Sequence, residues 1–279
     1  MLNLLLAVLS SALVSITMRF SESKVKNTIA MLAVNYIMCA FLAWGYTGFA
    51  QWYPGIPGMT PACLMGLVNG VLYLAGFVLL QRNIRRSGVV LSSTFLKLGL
   101  LVSMIVSVAF FRERPEAWQW LGFFLAVAAI VLINYRPGSA KSGINIGLLL
   151  LLLAGGGGDA MSKVFEELGS PALSGHFLLY TFLTAFGLCA ILFGLKREKA
   201  GIREVCFGLL IGIPNFFSAR FLLAALKTVP AVIVYPVCSV GTILVVTTAG
   251  VLLFKERLEK KQWIALVMIL MALVLLNVS

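Results

Sequence analysis

Ten apolar segments in succession govern what this chain can become; they lie at about residues 2–18, 28–50, 61–80, 88–111, 117–134, 144–163, 174–195, 205–226, 230–254 and 261–278. A bilayer core about 30 Å thick takes roughly 20 apolar residues per helix, and backbone facing lipid must satisfy its own hydrogen bonds. Helices and closed barrels are the two solutions. Barrel strands alternate in polarity at every second residue, whereas these segments are apolar throughout. The sequence therefore predicts an all-α integral membrane protein with ten transmembrane helices. Ten spans use almost all of the 279 residues and leave no room for an extramembrane domain.

Composition removes the alternatives. Hydrophobic residues make up 61% of the chain and charged ones 11%, against about 25% charged in a soluble domain. A net charge of +12 would point to nucleic acid in a soluble protein, but here Lys and Arg stand in short clusters between apolar segments, as in cytoplasmic loops. The expected surroundings are membrane lipid, with no nucleic acid as partner. Cys39, Cys63, Cys189, Cys206 and Cys238 lie in or beside apolar segments without CxxC or CxxH spacing, so they read as small core residues and not as disulfides or metal ligands. The first segment begins at Leu2 with no basic stretch before it and no small-residue cleavage site followed by polar sequence, which makes it a span and not a removed signal peptide.

The two halves repeat. Phe111-Arg-Glu-Arg-Pro-Glu-Ala-Trp-Gln-Trp120 aligns with Phe254-Lys-Glu-Arg-Leu-Glu-Lys-Lys-Gln-Trp263, with six of ten columns identical, and the match continues to Asn134 and Asn277. Similarity between apolar helices by chance would not reproduce a charged turn. The chain thus divides into five-helix repeats, 1–136 and 144–279. Five is odd, so the second copy enters the membrane from the opposite side, an arrangement that places a substrate site where the halves meet. The connections after segments 1, 3, 5, 7 and 9 carry sixteen of the 22 Lys and Arg, and those after segments 2, 4, 6 and 8 carry four. The first set is expected in the cytoplasm, with both termini outside.

The stretch Ala225-Leu-Lys-Thr-Val-Pro-Ala-Val-Ile-Val-Tyr-Pro-Val237, with Leu253-Phe-Lys-Glu-Arg-Leu258 and Gln262-Trp-Ile264, resembles the EamA-type signature of the drug/metabolite transporter superfamily. The resemblance covers essentially the whole chain. It implies a ten-helix bundle in which helices 1–4 and 6–9 surround a central cavity and helices 5 and 10 pack outside. It also implies movement of a metabolite such as an amino acid, nucleoside, sugar, phosphorylated compound or organic cation. The first half has Ser93-Thr94 where the second has Tyr235-Pro236, so a break in helix 9 need not have a counterpart in helix 4. The cationic residue usual near the end of each half's first helix stands here as Arg19 and Lys163. A membrane-embedded Glu in the first helix, used by the small multidrug members, is absent.

Ionisable residues within spans cost several kcal/mol unless they face a cavity or a partner. They are Lys97, Asp159, Lys163, His176 and Arg220, joined by Arg19 at a helix end. Asp159 and Arg220 each lie about six residues before the outer ends of parallel helices, roughly 9 Å deep at 1.5 Å per residue, and are expected to pair, either as a gate that forms when the outer side closes or as a static structural link. Lys163, Arg19 and His176 are further candidates for gating or coupling. Lys97, too central to snorkel, is expected to meet a substrate anion, because Asp159 is placed nearer the outer surface, or else a ring of hydroxyls and carbonyls from Ser93, Thr94 and neighbouring helices. Asn35, Tyr73, Asn215, Tyr235 and Ser239 complete the expected substrate contacts, drawn from a wider polar set that includes Ser11 and Ser15. Gly155, Gly156, Gly157 and Gly158 precede Asp159 and serve either close packing or a hinge.

No Ser/His/Asp, Cys/His or HExxH constellation and no phosphate loop can be assembled on one side, so no enzyme, metal or cofactor is expected. The expected activity is secondary active transport by alternating access. The substrate is a small polar metabolite, an amino acid or another zwitterionic or anionic solute, with a coupling proton or an exchanged solute as second partner. The setting is a bacterial inner membrane and the chain acts as a monomer. The competing expectations are a multidrug or organic-cation exporter and a membrane binding protein that does not transport.

Overall fold

The computed structural model describes residues 2–49, 51–110, 116–134, 145–196, 200–226 and 231–275. Every regular element among them is helical: α1 (Leu2–Ser21), α2 (Thr28–Tyr46), α3 (Met59–Lys97), α4 (Leu100–Phe110), α5 (Ala117–Asn134), α6 (Ile146–Leu168), a single 3₁₀ turn (Pro171–Leu173), α7 (Ser174–Lys196), α8 (Ile202–Leu226), α9 (Ala231–Leu252) and α10 (Lys260–Leu275). Six of these helical stretches are long and apolar enough to cross a membrane, and Ala117–Leu132 and Val237–Leu252 are shorter apolar helices. The charged turn from Phe111 to Pro115 and the central linker, including Arg114 and Arg136, lie outside the described residues.

Helix α3 is two helices joined at Gly88, whose φ of +81° and ψ of 168° are not helical. Residues 59–87 fill the third predicted span and overrun it by two polar turns, and residues 89–97 begin the fourth, which α4 completes. Between them the ladder tightens: Gly99 N–H donates to Leu96 O at 3.2 Å and Leu101 N–H to Leu98 O at 3.0 Å, both at three-residue spacing. The tightening coincides with the closest approach of α6, since a Cβ on Gly99 would stand 2.5 Å from Gly156 N. The break thus falls in the first half, whereas α9 is continuous from Ala231 to Leu252 through Tyr235 and Pro236.

Packing follows the repeat. Helix α1 packs on α8 and α9, as α6 packs on α3 and α4; α2 packs on α8, as α7 packs on α3. Helix α2 meets α7, and α5 meets α10. Matching each helix to its equivalent in the other half exchanges these contacts among themselves, as a two-fold axis does in an isologous interface. Most of the buried core is one cluster drawn from both halves, with Met31, Tyr36, Leu80, Phe165, Phe182 and Ile211 among its members. A second cluster joins α5 and α10 through Ala126, Ala129, Leu266 and Ile269.

Among the described residues, the basic connections after α1, around residues 85–88 and after α9 meet at one end, the basic end. Glu204 Oε1 accepts from Lys26 N–H at 3.0 Å and Asn27 N–H at 3.3 Å. Arg85 donates to Val25 O at 3.4 Å, Asn145 to Ser87 Oγ at 3.3 Å and Asn83 to Gly147 O at 2.9 Å. Glu256 accepts from Val89 N–H at 2.8 Å and Val90 N–H at 3.3 Å. The opposite end holds the connection between α2 and α3, where His176 Nε2 lies 3.2 Å from Gln51 O and Tyr180 Oη donates to Trp52 O at 3.1 Å.

Candidate functional site

Between the halves lies a cavity of about 130 Å³. Its walls come from both repeats: Ser11 and Ser15 from α1, Tyr73, Gly76, Phe77 and Leu80 from residues 59–87, Leu96 and Lys97 from residues 89–97, Gly155, Gly158 and Asp159 from α6, and Asn215 and Ser218 from α8. Spacings of three and four residues recur on the walls from α1, residues 59–87, α6 and α8, as one helix face requires. The polar groups are concentrated there while the outward faces carry exposed Leu, Phe and Val, the distribution of a bundle in lipid.

Lys97 and Asp159 share this cavity. Asp159, expected nearer the outer surface than Lys97, nevertheless lines the same cavity. Helix α6 crosses the fourth span at its tightened turn, with Gly155 against Leu96 and Gly156 against Gly99, and Asp159 stands one turn further along. Asp159 keeps its accessible surface open to the cavity, and Lys97 is half-buried. The two make no ion pair within 4.0 Å among the described residues, so the cavity offers a cation and an acid that are not locked together.

The expected Asp159 and Arg220 pair is not formed. The Arg220 guanidinium lies over the rings of Tyr46 at 5.1 Å and Phe217 at 5.9 Å, a geometry that uses the negative ring faces in place of a carboxylate. It belongs to the end opposite the basic one. Lys163 pairs with Glu167 one turn on, at 2.8 Å. Arg19 pairs with Glu22 and, through Nε, with Glu256 at 3.4 Å, and covers the Phe254 ring. His176 is buried at the α7 start against Gln51 O, away from the cavity walls.

Of the expected substrate contacts, Lys97, Tyr73 and Asn215 line the cavity. Asn35 does not: it is fully buried, and its Oδ1 accepts from Asn215 Nδ2 at 3.2 Å. Asn215 also donates to Cys39 Sγ at 3.4 Å, and Cys39 donates to Gly212 O at 3.3 Å, so α2 and α8 are stitched through these groups. Ser239 is buried in α9 and is not among the cavity walls; the side chain of Tyr235 lies outside the described residues. Tyr73 is fixed by ring contacts to Phe77 and Phe182, and its carbonyl accepts from Tyr36 Oη at 3.0 Å.

Helix α6 runs unbroken through its four glycines. A Cβ on Gly155 would lie 2.5 Å from Leu96 Cδ1, and one on Gly156 2.4 Å from Gly99 O. Close approach explains these two glycines, and the non-helical backbone angles fall at Gly88 in α3. Sequence reasoning missed Ser218, although its spacing of three from Asn215 places both on one face. It also missed the destinations of Glu204 and Glu256, which lie on connections and bond to backbone far away in sequence.

Comparison with known proteins agrees with this architecture. An uncharacterized protein of Haemophilus influenzae strain Rd is 25% identical over 97% of this chain and 96% of its own. A protein of known crystal structure shares the fold with a TM-score of 0.59 at 15% identity, over 98% of this chain and 94% of the other. The model of the EamA-like transporter family matches twice in succession, over residues 1–135 and 141–278. With both repeats matched, the chain belongs to the EamA-like transporter family.

Proposed function

We propose that the protein is a secondary active transporter of a small polar metabolite, zwitterionic or anionic and most simply an amino acid, that works by alternating access. The observation that carries the reading is the cavity between the repeats, where Lys97 and Asp159 face one space without a direct ion pair. A solute with a carboxylate and an ammonium group satisfies both charges at once, and Ser11, Ser15, Asn215 and Ser218 supply hydrogen bonds around it. Charges inside a bundle mark substrate and ion paths. On this reading the chain crosses a bacterial inner membrane ten times as two inverted repeats, and the clustering of Lys and Arg puts the basic end in the cytoplasm.

Counterflow of labelled amino acids in proteoliposomes tests the reading. Uptake driven by the unlabelled solute is expected for at least one of them, and Lys97→Gln, still folded and monodisperse, is expected to lose binding of that solute. Undiminished affinity in Lys97→Gln would remove the anion-reading site. Export of an organic cation is the rival reading, because the Tyr73 and Phe77 rings line the same cavity as Asp159. It requires binding that survives Lys97→Gln and fails in Asp159→Asn.

A further inference from the structure

We propose that Glu256 is a positioning residue for Lys97: it latches one end of the nine-residue helical segment whose other end carries the lysine, so that opening the basic end and moving Lys97 are one event. The inference rests on the reading of the Lys97 cavity as the substrate site.

The segment 89–97 has a joint at each end. Gly88, at φ +81°, separates it from residues 59–87, and the tightened turn at Leu98 and Gly99 separates it from α4. Its first N–H groups have no partner within their own helix, as at any helix start. Glu256 supplies that partner from the other repeat: Oε1 accepts from Val89 and Oε2 from Val90. The carboxylate also sits where a helix start favours negative charge.

The approach is possible because residue 88 is glycine. A Cβ there would lie 2.7 Å from Glu256 Oε2, inside contact distance, and the positive φ would be strained in any other residue. On the partner side, Lys255 takes a φ of +52°, and Glu256 N–H donates to Gly250 O at 3.0 Å, which folds the turn after α9 back towards the segment. Arg19 closes the latch from α1, paired to Glu256 and lying over Phe254, whose ring meets Phe20 at 4.7 Å.

The latch therefore joins the end of α1, the start of the fourth span and the turn after α9. Lys97 is two helical turns away on the same rigid piece. If the latch opens, the segment swings about its joints, and Leu96 and Lys97 at its far end move against Gly155 and the cavity. A single carboxylate thus ties access from the basic end to the placement of the cation in the site.

Cysteine labelling tests this without knowledge of the substrate. In a cysteine-free background, Leu96→Cys reports on the segment and Ser218→Cys on the facing wall of the cavity. Lys24→Cys, in the connection after α1, identifies the basic-end face of sealed vesicles of either orientation. With a membrane-impermeant maleimide, Glu256→Ala is expected to speed labelling of Leu96→Cys from that face by about tenfold, the loss of at least one charge-assisted hydrogen bond. Glu256→Gln, which keeps one acceptor oxygen, is expected to give a smaller increase.

Val89→Pro removes the donor to Oε1 at a first helical position that tolerates proline, so it tests the latch from the other partner. It is expected to act in the same direction, and with Glu256→Gln it decides the matter should Glu256→Ala not purify as a folded species. Unchanged labelling from the basic-end face would overturn the proposal. So would equal acceleration from both faces, which means general loosening, or acceleration at Ser218→Cys alone, which means that the cavity opens without moving the lysine segment. Failure of counterflow in the unsubstituted protein would instead refute the transport reading and leave the labelling result standing.

Discussion

At the basic end the helices are held by carboxylates that accept backbone N–H groups, Glu204 from Lys26 and Asn27 and Glu256 from Val89 and Val90. At the opposite end they are held by rings. Trp44 meets Phe49 at 5.0 Å and Trp52 at 6.0 Å, Tyr46 meets Phe216, and Arg220 lies over Tyr46. The two chemistries fail differently. A charged hydrogen bond depends on direction, and a buried partner left behind carries its full desolvation penalty. Ring contacts scale with area and tolerate sliding, with about 0.5–1.5 kcal/mol beyond burial for each pair. The basic end is therefore expected to fail abruptly when one bond is lost, and the far end by degrees.

Two glycines of similar backbone angle give the largest contrast. Gly88→Ala at the basic end adds strain at φ +81° and drives a methyl into the Glu256 carboxylate, so a loss of about 3 kcal/mol or more is expected. Gly48→Ala at the far end has φ +72° and nothing within 4 Å of the new Cβ, so strain alone remains, about 1 kcal/mol. Denaturation of the purified protein in one detergent measures both, and equal losses would mean that the carboxylate does not press on Gly88.

Glu204→Gln comes next. Glu204 is 5% exposed, and its Oε2 accepts from Gly201 N–H at 3.0 Å in addition to the two bonds from the α2 start. The amide keeps one acceptor oxygen, and a loss of about 1–2 kcal/mol is expected by the same measurement. Trp52→Ala should lose about 1 kcal/mol at the far end, because the ring is half exposed and the backbone carbonyl that Tyr180 reaches is retained. A larger loss for Trp52→Ala than for Glu204→Gln would reverse the ranking of the two ends.

The smallest effects should differ in sign. Lys255 and Phe49 both hold positive φ, +52° and +56°. Lys255→Gly relieves strain and should raise stability by up to about 1 kcal/mol. Phe49→Gly relieves the same strain but removes a ring that touches Trp44 and Phe41, so stability should be unchanged or lower. A rise in both would show that the far-end rings contribute little.

Much of this plan is written in local chemistry and was readable from it. Apolar length gives the helices, the repeated charged turn gives the two halves, and a charge inside an apolar segment is unusual enough to nominate Lys97 and Asp159. Other parts depend on what lies across the bundle. Asn35 and Asn215 look alike in sequence, yet one is consumed by an interhelical bond and the other faces the cavity as well. Depth counted from helix ends paired Asp159 with Arg220, but the glycine crossing brings α6 to Lys97, and Arg220 finds rings instead. Gly88 is one more small residue after Arg85-Arg86-Ser87 until its φ and the distant Glu256 are known.

The self-matching contacts of α2 with α7 and of α5 with α10 have a consequence for what fusion of the two halves allows. Two separate, identical five-helix chains meeting by the same contacts would carry every wall residue twice, once on each side of the axis. Such a dimer would confront two lysines and two aspartates and would read only ligands indifferent to being turned end for end. Joined in one chain, the halves are free to diverge, and here the fourth span holds the lysine while α6 holds the acid. The cavity has acquired polarity, and on the proposed reading a solute with unlike ends would have one way to lie in it.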